Sequence, residues 1–151
     1  NSTQLNSQAA SYYLDYNNFT NTPTIPTNNN QLTNGAGYLT ASTLLTDGAF
    51  SSATATTTTT SQTAVDTFAA ATYRSVKYQI QITRGSEYHI TEVFIVHDGT
   101  TSYGTEYATI KTGSSLASFD TDIDSGNVRL LATPTSSSST VFKLVRTLIK
   151  V

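Results

Sequence analysis

Cysteine, methionine and tryptophan are all missing from this 151-residue chain, and charged residues make up only 12% of it. Without Cys there can be no disulfide scaffold, no thiolate metal site and no cysteine nucleophile, and the redox compartment leaves no trace in the sequence. Without Trp the chain lacks the broadest aromatic platform for a sugar ring. The absence of Met leads us to expect a processed chain or the ordered part of a longer one. Unbroken apolar runs reach only four residues, as at Val93–Val96, against the ~20 that a membrane-spanning helix needs, so no membrane insertion is expected. A net charge of -2 and a pI near 5.5 give no electrostatic reason to expect nucleic acid as a partner. Hydroxyls are abundant instead: Ser and Thr together form nearly a third of the chain, a composition that suits β structure and an extracellular or particle-bound surface.

The two halves differ. Every Lys and Arg lies at or beyond Arg74, and residues 1–73 carry only Asp15, Asp47 and Asp66. Nine of the ten Asn residues fall within the first 34 positions, together with Pro23 and Pro26, and a Thr run follows at Thr56–Thr60. Such a segment has too little apolar side chain to build a core alone. Tyr12, Tyr13, Leu14, Tyr16, Phe19 and Ile25 nevertheless supply anchors, which suggests an arm ordered against partners. We therefore divide the chain into an extended arm over 1–48, a Thr/Ser/Ala-rich connector over 49–72 and a β domain over 73–151.

In the last segment the punctuation is that of strands. Tyr78, Ile80 and Ile82 alternate with Lys77, Gln79, Gln81 and Thr83, which predicts a strand over about Ser75 to Arg84, closed by a turn at Gly85-Ser86. The run from Glu87 to His97 alternates at Tyr88 and Ile90 and is then apolar on both faces at Val93–Val96, as a bulge near Thr91-Glu92 or a doubly covered strand would produce. Asp98-Gly99 marks the next turn. Further strands are expected over Tyr103 to Lys111, Leu116 to Ile123, Val128 to Thr133 and Val141 to Ile149. Six strands at this spacing imply an antiparallel sandwich or small barrel, and the fold class is read as all-β, an extended arm followed by an antiparallel β-sandwich. The expected core is Tyr78, Ile80, Ile82, Ile90, Val93, Ile95, Ile110, Phe119, Ile123, Val128, Leu130, Phe142 and Leu144. Between Thr63 and Tyr73, a helical face (Val65, Phe68, Ala69, Thr72, Tyr73) behind a capping-box pair competes with a strand. The Thr-rich surroundings favour the strand.

Two stretches resemble known sequence. Tyr13-Leu14-Asp15-Tyr16-Asn17-Asn18-Phe19-Thr20-Asn21-Thr22-Pro23-Thr24-Ile25-Pro26 and the adjoining Asn30-Gln31-Leu32-Thr33-Asn34-Gly35-Ala36-Gly37-Tyr38-Leu39-Thr40 are similar to the two halves of a unit that recurs along bacteriophage tail fibres and related virion appendages. The later block, through Tyr73-Arg74-Ser75, Glu92, His97-Asp98-Gly99, Glu106-Tyr107 and Gly126-Asn127-Val128, resembles a C-terminal β domain of virion structural proteins, notably in phages of marine cyanobacteria. The resemblance implies a non-enzymatic structural subunit on the surface of a virion, assembled as a homotrimer with other virion proteins and serving particle assembly and host attachment. Pro23 and Pro26 suit such an appendage because they exclude a helix there. Only one copy of the unit is present, so a long shaft within these residues is not expected.

Chemistry-bearing groups are sparse. Asp120, Asp122 and Asp124 alternate as in calcium loops, but Ser125 stands where the loop needs Gly and Leu131 where it needs Glu; an acidic strand edge is the simpler reading. His89 and His97 are the only histidines, and no nucleophile elbow accompanies the 18 serines. Glu87, Glu92 and Glu106 would permit a paired-carboxylate glycosidase in principle. We assign no catalytic, cofactor-binding or metal-binding residue and expect no cofactor. The alternative function is a glycan-binding module using Tyr103, Tyr107 and loop hydroxyls on host-surface glycan.

Overall fold

The computed structural model describes residues 4–5, 8–20 and 45–151, and the chain divides into two compact units, Asn1–Tyr38 and Leu39–Val151. In the first, two-residue strands β1 (Gln4–Leu5) and β2 (Gln8–Ala9) pair antiparallel. Two 3-10 turns follow, Ala10–Leu14 and Tyr16–Asn18. They are tied locally: the Tyr12 hydroxyl donates to the Asn18 carbonyl at 2.9 Å, and Asn18 Nδ2 returns a bond to the Tyr12 carbonyl at 3.0 Å. The Tyr13 ring packs edge-on against Tyr12 and lies 6.5 Å from Phe19. This stretch is turned rather than extended, because Asn and Tyr side chains satisfy its backbone in place of a neighbouring strand. Pro23, Ile25, Pro26, Leu32, Gly35, Gly37, Tyr38, Leu39 and Leu44 lie outside the described residues.

The second unit is an all-β antiparallel sandwich. Its strands are β3 (Gly48–Thr57), β4 (Thr63–Ala69), β5 (Tyr73–Arg84), β6 (Glu87–His97), β7 (Ser102–Lys111), β8 (Ala117–Asp124), β9 (Asn127–Pro134) and β10 (Thr140–Lys150). One sheet has the order β3-β10-β5-β6-β7 and the other β4-β9-β8. Residues 49–72, expected as a connector, supply β3 and β4. Ala49, Ala53 and Ala55 pack on the core while Val65 and Phe68 enter it. The strand reading of the Val65–Phe68 stretch holds, and the first strand of the sandwich starts at Gly48, within the compact unit Leu39–Val151.

Why the hairpins turn where they do follows from backbone freedom. The β8–β9 loop is the two residues Ser125-Gly126, with φ of 51° and 79°, the left-handed pair that matches strand twist. Between the sheets lies a core built from Tyr78, Ile80, Ile82, Val93, Ile95, Leu116, Val128, Leu130, Phe142, Leu144 and Leu148, all nearly inaccessible. Phe119 and Ile123 pack against it half-buried. Ile90 and Ile110, expected in this core, stand on the opposite face, Ile110 being 71% exposed.

A polar tie crosses the interior. Tyr78 on β5 donates its hydroxyl to Asp66 Oδ2 on β4 at 2.9 Å. Arg146 on β10 pairs with the same carboxylate and donates to the Thr67 carbonyl at 2.9 Å and to Ser51 Oγ at 2.9 Å. Burial, and next the adjacent Asp66 charge, push the Tyr78 phenol well above its ordinary pKa. The tie joins both sheets through groups that would otherwise be buried unpaired.

Candidate binding face

The position of every functional group on β6 follows from its phase. His89, Thr91, Val93, Ile95 and His97 point inward, so Tyr88, Ile90, Glu92, Phe94 and Val96 point outward. Pairing with β5 is one-to-one along the whole strand. The irregularity anticipated at Thr91-Glu92 lies across the ladder in β7, where Ile90 opposes Ile110 and Glu92 opposes Tyr107. One extra residue is thereby accommodated, and Ala108 takes φ 54°, a left-handed conformation that non-glycine residues rarely adopt. Thr91 fills the interior side of this bulge: its hydroxyl lies 2.9 Å from Glu106 Oε1, 2.9 Å from Thr109 Oγ1 and 3.1 Å from the Tyr107 carbonyl.

Outside, β5, β6 and β7 present a surface of aromatic and aliphatic groups. The Phe94 and Tyr107 rings stack with centroids 5.2 Å apart and planes 12° from parallel. Lys77 Nζ lies 5.6 Å from the Phe94 centroid and 3.0 Å from Glu92 Oε2. The Tyr107 hydroxyl first, and then the Lys77 ammonium, hold the Glu92 carboxyl below its ordinary pKa, while Glu92 raises that of Lys77. Beside this group runs a shallow groove of about 330 Å³ lined by Ser75, Phe94, Val96, Tyr103 and Thr105. Tyr103 is 57% exposed, and its hydroxyl reaches Asp98 Oδ2 at 3.3 Å. Asp98 itself closes the β6–β7 turn, accepting from the Thr100 and Thr101 amides and the Thr100 hydroxyl, each at 2.8 Å. Those donors hold its carboxyl far below the usual range.

Both candidate glycan contacts, Tyr103 and Tyr107, therefore lie on this one face. Sequence reading missed Tyr88, Ile90, Phe94 and Val96 as their companions. The signal was present in the parity of β6, once His89 and His97 are allowed inside. The three glutamates are not brought together. Glu87 pairs with Arg84 in the hairpin at 3.1 Å, Glu92 faces out, and Glu106 faces in. A small cavity of about 70 Å³ between β6, β7 and β8 has Glu106 and Asp120 in its lining, with Val93, Gly104 and Phe119.

The histidines serve as packing groups. His89 Nδ1 accepts from the Leu116 amide at 3.4 Å and its Nε2 sits 3.8 Å from Glu106 Oε1; burial lowers its pKa, outweighing the pull of Glu106. His97 Nε2 lies 2.7 Å from the Tyr73 carbonyl, and its ring is 6.3 Å from Phe68. For the aspartates the relieving cation is a side chain. Arg129 Nε donates to Asp122 Oδ1 at 2.7 Å and Nη1 lies 3.1 Å from Asp124, and this holds the Asp122 carboxyl below its ordinary pKa. Asp120 turns away to its neighbour's amide and to Gln62. Among the described residues no three His, Cys, Asp or Glu side chains converge as a metal site.

No family model matches the chain, and no curated protein matches it. Among solved structures, the tailspike protein of Acinetobacter baumannii phage AM24 is similar over 69% of this chain and 26% of its own, with a TM-score of 0.44 and 8% identity. The tailspike protein of Acinetobacter phage vB_ApiP_P1 is similar over 68% of this chain and 22% of its own, with a TM-score of 0.40 and 14% identity. The chain thus spans about a quarter of the length of these two proteins.

Proposed function

We propose that the chain is a non-enzymatic structural subunit of a bacteriophage tail fibre or related appendage, exposed on the virion and assembled in threes with copies of itself. The observation that supports this best is the outer face of β5, β6 and β7. A lone soluble domain rarely leaves an apolar patch of several hundred Å² open to water, yet here Tyr88, Ile90, Phe94, Val96, Tyr103 and Ile110 all stand out from one side of one sheet. Covering them in an assembly recovers roughly 25 cal/mol per Å² of apolar surface. The charge-poor first 73 residues agree with close approach of several chains, since like charges there would repel. Sedimentation of the full chain tests the reading: a species three times 16.2 kDa, or a multiple of that, is expected, and a 16.2 kDa monomer would overturn it.

A second reading has its own observation. Tyr103 at the lip of the groove, with the stacked Phe94–Tyr107 pair and the Lys77–Glu92 pair alongside, is the combination of flat apolar surface and fixed polar groups that grips a sugar. On this reading the same face is a host-glycan contact, and the full protein binds immobilised bacterial glycans on an array and loses that binding in Tyr103→Ala. Release of reducing ends from polysaccharide during incubation would overturn the non-enzymatic part of the proposal.

A further inference from the structure

Among the described residues the sandwich has four sheet edges, and three of them carry features that stop another strand from adding. On β7 the bulge at Ala108 breaks the ladder and Glu106 and Lys111 add charge. On β4 the register shifts between Ala64 and Asp66. On β8 stand Asp120, Asp122 and Asp124. Bulges and charges are the usual means by which soluble proteins blunt an open edge.

β3 has none of these. It pairs with β10 without a break from Gly48 opposite Ile149 to Thr57 opposite Thr140, and its ten residues, Gly, Ala, Phe, Ser and Thr alone, include no charge and no proline. Among the described residues nothing pairs with its other side. A regular, uncharged edge of this length, with Phe50 69% exposed on it, is a template for one more strand.

We infer that the β3 edge is an assembly surface, and that its occupant is the β3 strand of a second copy of this chain, paired antiparallel across a two-fold axis. This rests on the reading that the chain self-assembles. Elimination selects the occupant: a bulge or carboxylates obstruct the other three edges, so the β3 of another copy is the compatible strand. Two β3 strands match in length and bring no charges together. A two-fold contact uses both open edges at once, so it closes instead of growing into a fibre. It joins two five-stranded sheets into one. Residues directly opposite must share a sheet face, so even-numbered residues meet even-numbered ones, and Phe50 lies opposite Thr54 or Thr56 rather than Ala55.

The test uses the full chain. Thr54→Lys places a charge on the exposed side of the edge, and the mass by sedimentation is expected to fall to half that of the parent, six copies to three where the chains also associate in threes. In parallel, Ser52→Cys and Ala53→Cys occupy the two central positions, one of which faces its own copy across the axis. The parent has no cysteine, so one of these variants should give a disulfide-linked pair on mild oxidation. An oligomer whose mass Thr54→Lys leaves unchanged overturns the inference while leaving self-assembly standing; a parent that is monomeric overturns both. Should Thr54→Lys fail to fold, the cysteine variants decide, and the absence of a linked pair in both overturns the inference. Coverage of β3 by the chain's own residues would give that same result.

Discussion

Val93 and Ile95 share the inner face of β6 with His89, Thr91 and His97, while Tyr88, Ile90, Phe94 and Val96 stand on its outer face. The outer face is the more apolar of the two, against the simplest expectation for a half-buried strand. Inside, polarity is tolerated because it is mostly satisfied. Thr91 bonds the β7 bulge, His97 bonds the Tyr73 carbonyl, and His89 accepts from Leu116. Outside, the apolar groups are only partly covered by the chain's own described residues, Phe94 and Val96 remaining 46% and 47% exposed. Burial on this strand therefore follows the parity that the hairpin sets and the partners each side chain finds, and what parity leaves outside is the face that the proposed assembly would cover.

The largest break in that comparison should come from the interior tie rather than from β6 itself. Asp66→Ala removes the acceptor of both Tyr78 and Arg146 and leaves a guanidinium with no carboxylate between the sheets. Breaking one side of a buried pair costs about 3–5 kcal/mol, and urea melts should show a loss of that size. A cost near that of a surface substitution would mean water reaches Arg146 freely and the inner face is wetter than described.

Next in size is a contrast between neighbours. Ile95→Ala opens a cavity against the core and should cost about 2–5 kcal/mol. Phe94→Ala, one residue away and removing more atoms, gives up mainly its stack on Tyr107 and should cost about 1 kcal/mol. The order of the two in equilibrium unfolding checks the assignment of faces. If Phe94→Ala proved the costlier, the outer face would be covered, by the proposed assembly or within the folded chain, and unfolding at several protein concentrations would tell the two apart.

Most strands after residue 73 were legible, because Gly85-Ser86, Asp98-Gly99 and Ser125-Gly126 punctuate them and Tyr78, Ile80 and Ile82 fix the phase of β5. β3 was not. Its inward groups are Ala, Ser and Thr, its outward ones mostly Ser and Thr, so the alternation carries almost no contrast in hydropathy. Its one large apolar side chain, Phe50, points outward. The misplacement of Ile90 and Ile110 has another cause: Ile90 shares its parity with Phe94 and Val96, and reading it as core requires His89 and Thr91 outside. Only their hydrogen bonds, Thr91's within the bulge of another strand and His89's from the Leu116 amide, reverse that. Asp66 was likewise unreadable as a tie, since Arg146 lies 80 residues away in sequence.

The smallest effect concerns pH and the same inner face. Burial holds the pKa of His89 below its ordinary value of about 6.5, so the folded chain binds this proton less readily than the unfolded one. The sign follows from linkage: the neutral histidine's contribution to stability is fully present above about pH 6.5 and is lost as pH falls through the lowered folded value. Glu106 opposes the shift and Lys111 adds to it, and both are near enough to set its size. The window is clear of the shifted carboxylates, because Glu92, Asp98 and Asp122 are all held below their ordinary values and stay ionised at pH 5. The melting temperature should therefore fall modestly from pH 7 to pH 5. In His89→Gln, which keeps an acceptor for the Leu116 amide but cannot take a proton in this range, that fall should shrink whatever the variant's overall stability. An equal fall in parent and variant would place the titrating group elsewhere, and would mean that His89 can be protonated without disturbing the packing between the sheets.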